Sequence, residues 1–335
     1  MEFDVVFVGT SGSVPTARRA TPAVLIRRGG DCFLVDCGEG TQRQLLRSSI
    51  GLIDVPNVLL THYHADHFLG LPGMLKTFAL RGREAALTIY GPVGLKGIFQ
   101  DLRRVIGTLP YELILDEVGE GDSIVRAGYR VDVFDVDHGV KAVGYAFVED
   151  VRPGRFDIEA AQRLGVPEGS SWGRLQGGDS VQVGDGRIVN PSDVLGEERP
   201  GRRVVLTGDT RPVRAVVEAA YKAQVLVHDA TFSREESNRA IETGHSTARE
   251  AAEIAEFAGV DLLALVHLSP RYGGSEIIRE AQEIFKNSVV PRDFDLIEVP
   301  YPDQGVPILH SKGARPRGYI ENAVPEISSE DAEIN

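Results

Sequence analysis

The chain has 335 residues, 42% hydrophobic and 25% charged, an ordinary globular composition that excludes a disordered or fibrous protein. Lys and Arg number 36 against 49 Asp and Glu, a net charge of −13. That argues against a general nucleic-acid coat protein, though not against an enzyme whose metal ions supply local positive charge. No apolar run approaches the ~18–20 residues needed to cross a bilayer. Met1-Glu2-Phe3-Asp4 carries acids where a secretory leader would carry lysines. Two cysteines, Cys32 and Cys37, cannot build a disulfide framework and read as buried free thiols. The expectation is a soluble, acidic, cytoplasmic protein with no membrane segment.

Short β-branched runs predict strands at 3–8, 23–27, 32–35, 58–60, 87–90, 130–134, 143–148, 204–206, 225–227 and 262–266. Helical patterns fall at 42–50, 71–80, 94–106, 211–222, 248–258 and 275–286. The early strands follow one another closely, which suggests hairpins, whereas the later ones alternate with helices. That mixture predicts an α/β fold with two mixed sheets and helices outside them.

Residues 151–201 differ from the rest. They hold ten glycines, several prolines and little periodicity, with turn signals at Gly177-Gly178, Asp185-Gly186 and Asn190-Pro191. A loop that long is usually functional or a linker. It reads as an arm that contacts a partner, beside the plainer reading of a surface insertion. After His310 the periodicity fades, and 311–335 is expected to be a mobile tail.

Thr61-His62-Tyr63-His64-Ala65-Asp66-His67 follows the apolar run Val58-Leu59-Leu60 and is the strongest local signal. His62 and His64 stand two apart, so an extended backbone points both imidazoles the same way. Asp66 and His67 fall where the chain turns toward a helix and can face a second centre. Imidazole and carboxylate without thiolate suit zinc or manganese. Three further strand ends offer His138, Asp209 and His267, and Asp209 could bridge two metals. His245, in Gly244-His245-Ser246-Thr247, precedes a T-x-x-E capping box, a place where helix N–H groups favour an anion. His228 reads as structural.

These motifs resemble the metallo-β-lactamase fold and, more narrowly, the ribonuclease Z family of tRNA 3′-processing endoribonucleases. The narrower likeness rests on Val35-Asp36-Cys37-Gly38-Glu39-Gly40-Thr41-Gln42, His67-Phe68-Leu69-Gly70-Leu71-Pro72-Gly73, Gly208-Asp209-Thr210-Arg211-Pro212, Gly244-His245-Ser246-Thr247 and His267-Leu268-Ser269-Pro270-Arg271-Tyr272, and it runs to about residue 308. The resemblance implies a four-layer αββα sandwich with 1–150 and 202–310 as the catalytic core. It also implies two zinc ions (Mn2+ being the alternative), a homodimer and precursor tRNA as substrate. His62, His64 and His138 with Asp209 would hold one ion; Asp66, His67 and His267, again with Asp209, the other. The family's flexible arm, which grips the tRNA elbow, corresponds in place to 151–201.

Two stretches depart from the family. Its arm carries a Gly-Pro pair where this chain has Gly169-Ser170. Its P-x-K-x-R-N loop, linked to discrimination at the tRNA 3′ end, reads Pro15-Thr16-Ala17-Arg18-Arg19-Ala20 here, which leaves the handling of CCA-bearing substrates open. Asp66 is the expected general base, and His245 the expected proton donor or phosphate partner. Arg18, Arg19, Arg43, Arg81, Arg83, Arg103 and Arg104, with Arg152, Arg155 and Arg174 of the arm, are the candidate RNA contacts. A thioesterase or arylsulfatase-like hydrolase on the same fold and a catalytically silent RNA-binding subunit are the alternatives.

Overall fold

The computed structural model describes residues 1–48, 51–52 and 55–311, so the tail expected at 311–335 lies, past its first residue, outside the described residues. In chain order the strands are β1 (Phe3–Gly9), β2 (Ala23–Arg28), β3 (Asp31–Val35), β4 (Asn57–Leu59), β5 (Leu87–Gly91), β6 (Leu113–Glu117), β7 (Ser123–Arg126), β8 (Tyr129–Asp135) and β9 (Val143–Glu149). They continue with β10 (Val181–Gln182), β11 (Ile188–Val189), β12 (Arg203–Leu206), β13 (Val225–Asp229), β14 (Leu262–Val266), β15 (Ser288–Val289), β16 (Leu296–Glu298) and β17 (Ile308–His310). The α-helices are α1 (Thr41–Arg47), α2 (Ala65–Phe68), α3 (Gly70–Leu80), α4 (Leu95–Ile106), α5 (Ile158–Arg163), α6 (Ser170–Gln176), α7 (Arg214–Ala219), α8 (Ser237–Thr243), α9 (Ala248–Ala258) and α10 (Gly274–Gln282). None is long and apolar enough to cross a membrane among the described residues.

Two sheets carry the fold. One runs β17-β16-β1-β2-β3-β4-β5-β6 and the other β15-β14-β13-β12-β9-β8-β7. The close-spaced strands β1, β2 and β3 pair antiparallel, and β12, β13 and β14 pair parallel because helices connect them.

Period-two alternation then builds four layers. Phe3, Val5 and Phe7 of β1 pack between the sheets with Tyr145, Phe147, Val204, Leu206, Val225 and Val227. Val6 and Val8 of the same strand turn outward onto Leu45, Leu71, Leu75 and Phe99 of the helices. On the opposite side Val205, Leu226, Leu263 and Leu265 meet Val216, Ala251, Ala255 and Ile277. The result is the αββα sandwich.

All ten strands legible in the sequence are present, with ends moved by one or two residues. β6, β7, β16 and β17 are not in that reading. They lie at or near sheet edges, where short, charged strands bury only one face. The helix expected at 211–222 shrinks to α7. Pro212 disfavours helical backbone at Arg211, and Lys222 already stands at φ 52°.

Residues 151–201 hold more order than their composition suggests. Their ends form an antiparallel ribbon bridged at Arg152–Arg199 and Phe156–Leu195. Beyond it, α5, α6 and the β10–β11 hairpin enclose Ala161, Val166, Leu175, Val181 and Val189. These elements are two to seven residues long, too short to show a period in sequence.

The chain enters and leaves this segment through a buried ion cluster. Glu149 Oε1 accepts from Arg28 Nε and from an Arg202 guanidinium N–H, each at 2.7 Å, and Glu149 Oε2 accepts from Arg202 Nε at 2.8 Å. Burial alone would raise the Glu149 carboxyl, but the Arg202 and Arg28 bonds outweigh it and hold the group below its ordinary range. Its stabilising contribution is therefore full above that range and is lost as pH falls through the lowered value. Glu149→Ala, which strands two arginines, should lower stability by about 3–5 kcal/mol at neutral pH in urea unfolding. The gap from wild type should narrow in acid; a gap independent of pH would contradict the ion-cluster account.

Candidate metal centre

The site lies where strands of both sheets end along one edge of the sandwich. β3 delivers Asp36, β4 delivers Thr61 and His62, β8 delivers His138, β12 delivers Asp209, β13 delivers Asp229 and β14 delivers His267. His64 caps α2, which carries Asp66 and His67 in its first turn. Backbone must come close to fit this turn: a Cβ on Gly38 would sit 2.1 Å from Asp66 O, and one on Gly70 would sit 1.9 Å from Gly38 O. Asp36 and His267 both stand on left-handed backbone, at φ 58° and 60°, a conformation that non-glycine residues adopt mostly at over-determined functional positions.

The seven side chains expected as ligands converge. Asp209 Oδ2 lies 3.2 Å from both His67 Nε2 and His267 Nε2, 3.6 Å from His138 Nε2 and 3.7 Å from His62 Nε2. His64 Nδ1 is 3.1 Å from His138 Nε2. On the other side Asp66 Oδ2 is 3.2 Å from His267 Nε2 and 3.6 Å from His67 Nε2. Groups within ligating reach include His62–His64–His138 and Asp66–His67–His267, with His62–His67–Asp209 linking the two.

Hydrogen bonds outside the cluster fix the imidazole tautomers. His67 Nδ1–H donates to Asp36 Oδ2 at 2.8 Å, and His138 Nδ1–H donates to Gly244 O at 2.7 Å. Thr61 donates its hydroxyl to Asp36, so the same oxygen must accept from His62 Nδ1 at 3.0 Å. Thr231 repeats the arrangement: its hydroxyl donates to Asp229 Oδ1 at 2.6 Å and accepts from His267 Nδ1 at 2.7 Å. All four rings thus turn Nε2 inward, as metal-ligating histidines do.

Protons fill that interior only in part: against burial, Asp209 and then Asp36 raise His67 well above its ordinary pKa. Burial, then the neighbouring His67, pushes His62 well below its ordinary pKa, and burial with His138 lowers His64. Two buried polar atoms at the centre, His62 Nε2 and Asp209 Oδ1, have no hydrogen-bond partner. Two donors each ~2.0–2.1 Å from a tetrahedral ion stand about 3.3 Å apart, and the separations here span 3.1–3.7 Å. The donor set fits divalent metal.

Asp66 and His245 face the same space. Asp66 Oδ2 accepts the Ser13 N–H at 2.9 Å. Burial favours its neutral form, but the His267 bond and the His67 charge prevail and hold Asp66 well below the carboxylate range. His245 stacks on His267 with centroids 5.0 Å apart and donates Nδ1–H to Asp229 Oδ2 at 2.9 Å. Against burial, Asp229 and then Asp209 push its pKa up to about 9.

The expectation of an anion seat at the α9 N-terminus does not hold. The Ala248 N–H donates to Phe232 O, Arg249 N–H to Glu280 and Glu250 N–H to Thr247 Oγ1, while Glu250 returns its carboxylate to Thr247 N–H. The helix end already holds its own carboxylate.

Several expected RNA contacts are also committed elsewhere. Arg19 turns inward to Thr10 Oγ1 and Pro291 O, Arg83 bonds the carbonyls of Ala85 and Ala86, and Arg152 pairs with Asp303. Arg18, Arg43, Arg81, Arg103, Arg104, Arg155 and Arg174 remain exposed.

Asp36, Thr61, Asp229 and Thr231 were not singled out in the sequence. Asp229 had a signal, since it ends an apolar strand just as Asp209 and His267 follow theirs. Its neighbour His228, read as structural, is fully buried and donates Nδ1–H to Asp229 O.

Comparison with known proteins identifies the family. The Metallo-beta-lactamase superfamily model matches residues 16–244. The ribonuclease Z of Natronomonas pharaonis is 46% identical over 309 residues, covering 91% of this chain and all of that one. That of Methanosarcina acetivorans is 42% identical over 301 residues, covering 89% and 98%. Human tRNase Z, short form, superposes with a TM-score of 0.65 at 26% identity, over 89% of this chain and 99% of that one. Fold and site thus define a metal-dependent hydrolase of the metallo-β-lactamase superfamily. Within it, the chain belongs to the ribonuclease Z family, the endoribonucleases of tRNA 3′ processing.

If the threonine hydroxyls lock the imidazoles, Thr231→Val should weaken metal binding by about 10–100-fold with little change in fold. Competition with a chromogenic chelator measures this, and wild-type affinity in that variant would refute the lock.

Proposed function

We propose that the chain hydrolyses precursor tRNA directly after the discriminator base, leaving a 3′-hydroxyl on the tRNA and a 5′-phosphate on the trailer. Two zinc ions per chain, with manganese as the alternative, would be held by His62, His64 and His138 and by Asp66, His67 and His267, with Asp209 shared. The carrying observation is Asp209 Oδ2, which stands within 3.2–3.7 Å of four inward imidazole nitrogens. Family membership supplies the substrate class.

Divalent ions bound there would activate the attacking water and neutralise charge developing on the phosphate. The side chains supply the rest. Asp66, held ionised, takes the proton of the attacking water while the Ser13 N–H keeps the carboxylate aimed. His245, held by Asp229, gives a proton to the leaving 3′-oxygen. Asp229 remains a carboxylate and keeps the ring oriented, since Thr231 and Ser246 N–H groups also bond it.

The segment 151–201 is assigned as the arm that grips the folded tRNA away from the cut. Its own apolar core supports that role, because a rigid module can hold a remote part of the substrate. A homodimer completes the reading, and sedimentation at graded concentration would test it. Catalysis on precursor tRNA fits a cytoplasmic enzyme.

A 3′-extended precursor tRNA, a thioester and a phosphodiester dye, each with and without chelator, test the reading. Accurate, chelator-sensitive cleavage after the discriminator base is expected, and turnover of the thioester alone would replace it with a small-molecule hydrolase. Metal analysis should approach two equivalents; a reproducible value of one with full activity would overturn the dinuclear site.

Asp66→Ala should abolish turnover and leave precursor binding largely intact. His245→Ala should slow single-turnover cleavage by about 10²–10⁴-fold with less effect on binding. Wild-type single-turnover rates in that variant would remove His245 from the reaction.

A further inference from the structure

The stalk of the 151–201 segment is a two-stranded ribbon whose pairing is confined to 152–157 and 194–199. Arg152 N–H donates to Arg199 O, Arg199 N–H returns to Arg152 O, Asp157 N–H donates to Val194 O and Gly196 N–H donates to Arg155 O. The ribbon is pinched tight, since a Cβ on Gly154 would sit 1.9 Å from Gly196 O. An isolated ribbon of this size is marginally stable in water and has no preferred direction of its own. An open cleft of about 770 Å³, lined by Val151, Pro153, Gly177, Pro191, Leu195 and Glu198, runs beside it. Something outside the ribbon must set where it points.

The turn after β16 does this with two side chains. Asp303 receives Arg152 from the incoming strand, Arg199 from the outgoing strand at 3.1 Å and Arg155 at 3.5 Å. One carboxylate thus ties both strands to the catalytic core. Tyr301, two residues earlier, carries the Arg152 guanidinium 3.7 Å and the Arg202 guanidinium 4.0 Å from its ring centroid. Arg202 is itself anchored by Glu149 and by the carbonyls of Met1 and Val299. The ring therefore joins an arginine of the ribbon to one fixed in the core.

We propose that Asp303 and Tyr301 set the direction of the arm and so act as positioning residues for precursor tRNA. The proposal rests on the reading of 151–201 as the tRNA-gripping arm. Neither residue is among the groups that build the metal centre. Their effect should therefore appear in substrate capture and not in chemistry on a small diester. Charge pairing requires the Asp303 carboxylate, whereas Tyr301 contributes its ring face and needs no hydroxyl.

The test uses the metal-loaded full chain and four variants: Asp303→Ala, Asp303→Asn, Tyr301→Leu and Tyr301→Phe. For Asp303→Ala, Asp303→Asn and Tyr301→Leu, KM for precursor tRNA should rise about tenfold with kcat within about twofold of wild type, as expected when remote positioning is loosened. Hydrolysis of bis(p-nitrophenyl) phosphate should not change, and Tyr301→Phe should match wild type on both substrates. The chain's single tryptophan, Trp172, packs on Phe156 inside the arm and gives an independent readout. Its time-resolved anisotropy should gain a segmental component in the three disruptive variants and not in Tyr301→Phe.

Unchanged KM and unchanged anisotropy in Asp303→Ala and Tyr301→Leu would overturn the proposal, as would a parallel fall in small-diester hydrolysis. A variant with 151–201 replaced by a short glycine linker separates the two levels of inference. If that deletion abolishes tRNA cleavage while the Asp303 and Tyr301 variants behave as wild type, the clasp is wrong and the arm stands. If the deletion cleaves precursor tRNA at the wild-type kcat/KM, the assignment of the arm itself fails.

Discussion

Everything at the active edge depends on one oxygen. Asp209 Oδ2 is buried among four inward-facing imidazole nitrogens. An arrangement of that kind is repulsive unless protons or cations occupy it. Burial and mutual repulsion push His62 and His64 away from protonation while, against burial, Asp209 and Asp36 raise His67, so protons satisfy only part of the cluster and divalent cations fit the rest. The fold must then hold six segments within a few ångströms against a force that, without metal, favours separating them.

Two matching devices meet that demand, one from each sheet. In the first, Asp36 beside β3 accepts from Thr61, whose oxygen accepts from His62, and the same carboxylate accepts from His67. In the second, Asp229 at the end of β13 accepts from Thr231, whose oxygen accepts from His267, and the same carboxylate accepts from His245. Each buried aspartate thus orients one imidazole directly and one through a threonine. The sheets face each other across the core of Phe7, Tyr145 and Leu206, so packing of that core sets the spacing of the two devices. Apolar alternation along β1, β13 and β14 is in this sense part of the metal site.

The convergence of the candidate donors was legible because chemistry and position coincide: each is a ligand-type residue at the end of an apolar run. His62 and His64 show it best, with alternation on an extended chain bringing their rings to 4.6 Å. The orienting groups were not legible, since aspartate and threonine after a strand are common and their partners lie up to 36 residues away. Likewise, the capping box at Thr247 was read correctly but its consequence was not. A box that satisfies its own N–H groups leaves none for a phosphate. The strands absent from the sequence reading are short edges, and the order within 151–201 hides in elements of two to seven residues. Sequence periodicity reports the core and is silent where burial is one-sided or brief.

Charge is the remaining tension, because affinity for RNA comes largely from phosphate contacts and this chain carries −13. The arm does not relieve it. Its six arginines, 152, 155, 163, 174, 187 and 199, face eight acids at 157, 159, 168, 179, 185, 193, 197 and 198. Arg152 and Arg199 are spent on Asp303, Arg187 on Asp185, and Arg174 on the Ser180 carbonyl. An arm of this kind can recognise a folded RNA by shape and by a few contacts, but it cannot act as a broad cationic surface. The exposed Arg18, Arg43, Arg81, Arg103 and Arg104 outside the arm, with the divalent ions the centre would hold, are then among the cations left to counter the phosphate chain. With 151–201 proposed as the tRNA-gripping arm, the arm would select which RNA is held and the catalytic edge would supply the charge that holds the strand to be cut. A rigid arm root follows from that division, because an arm with few ionic contacts must place them accurately.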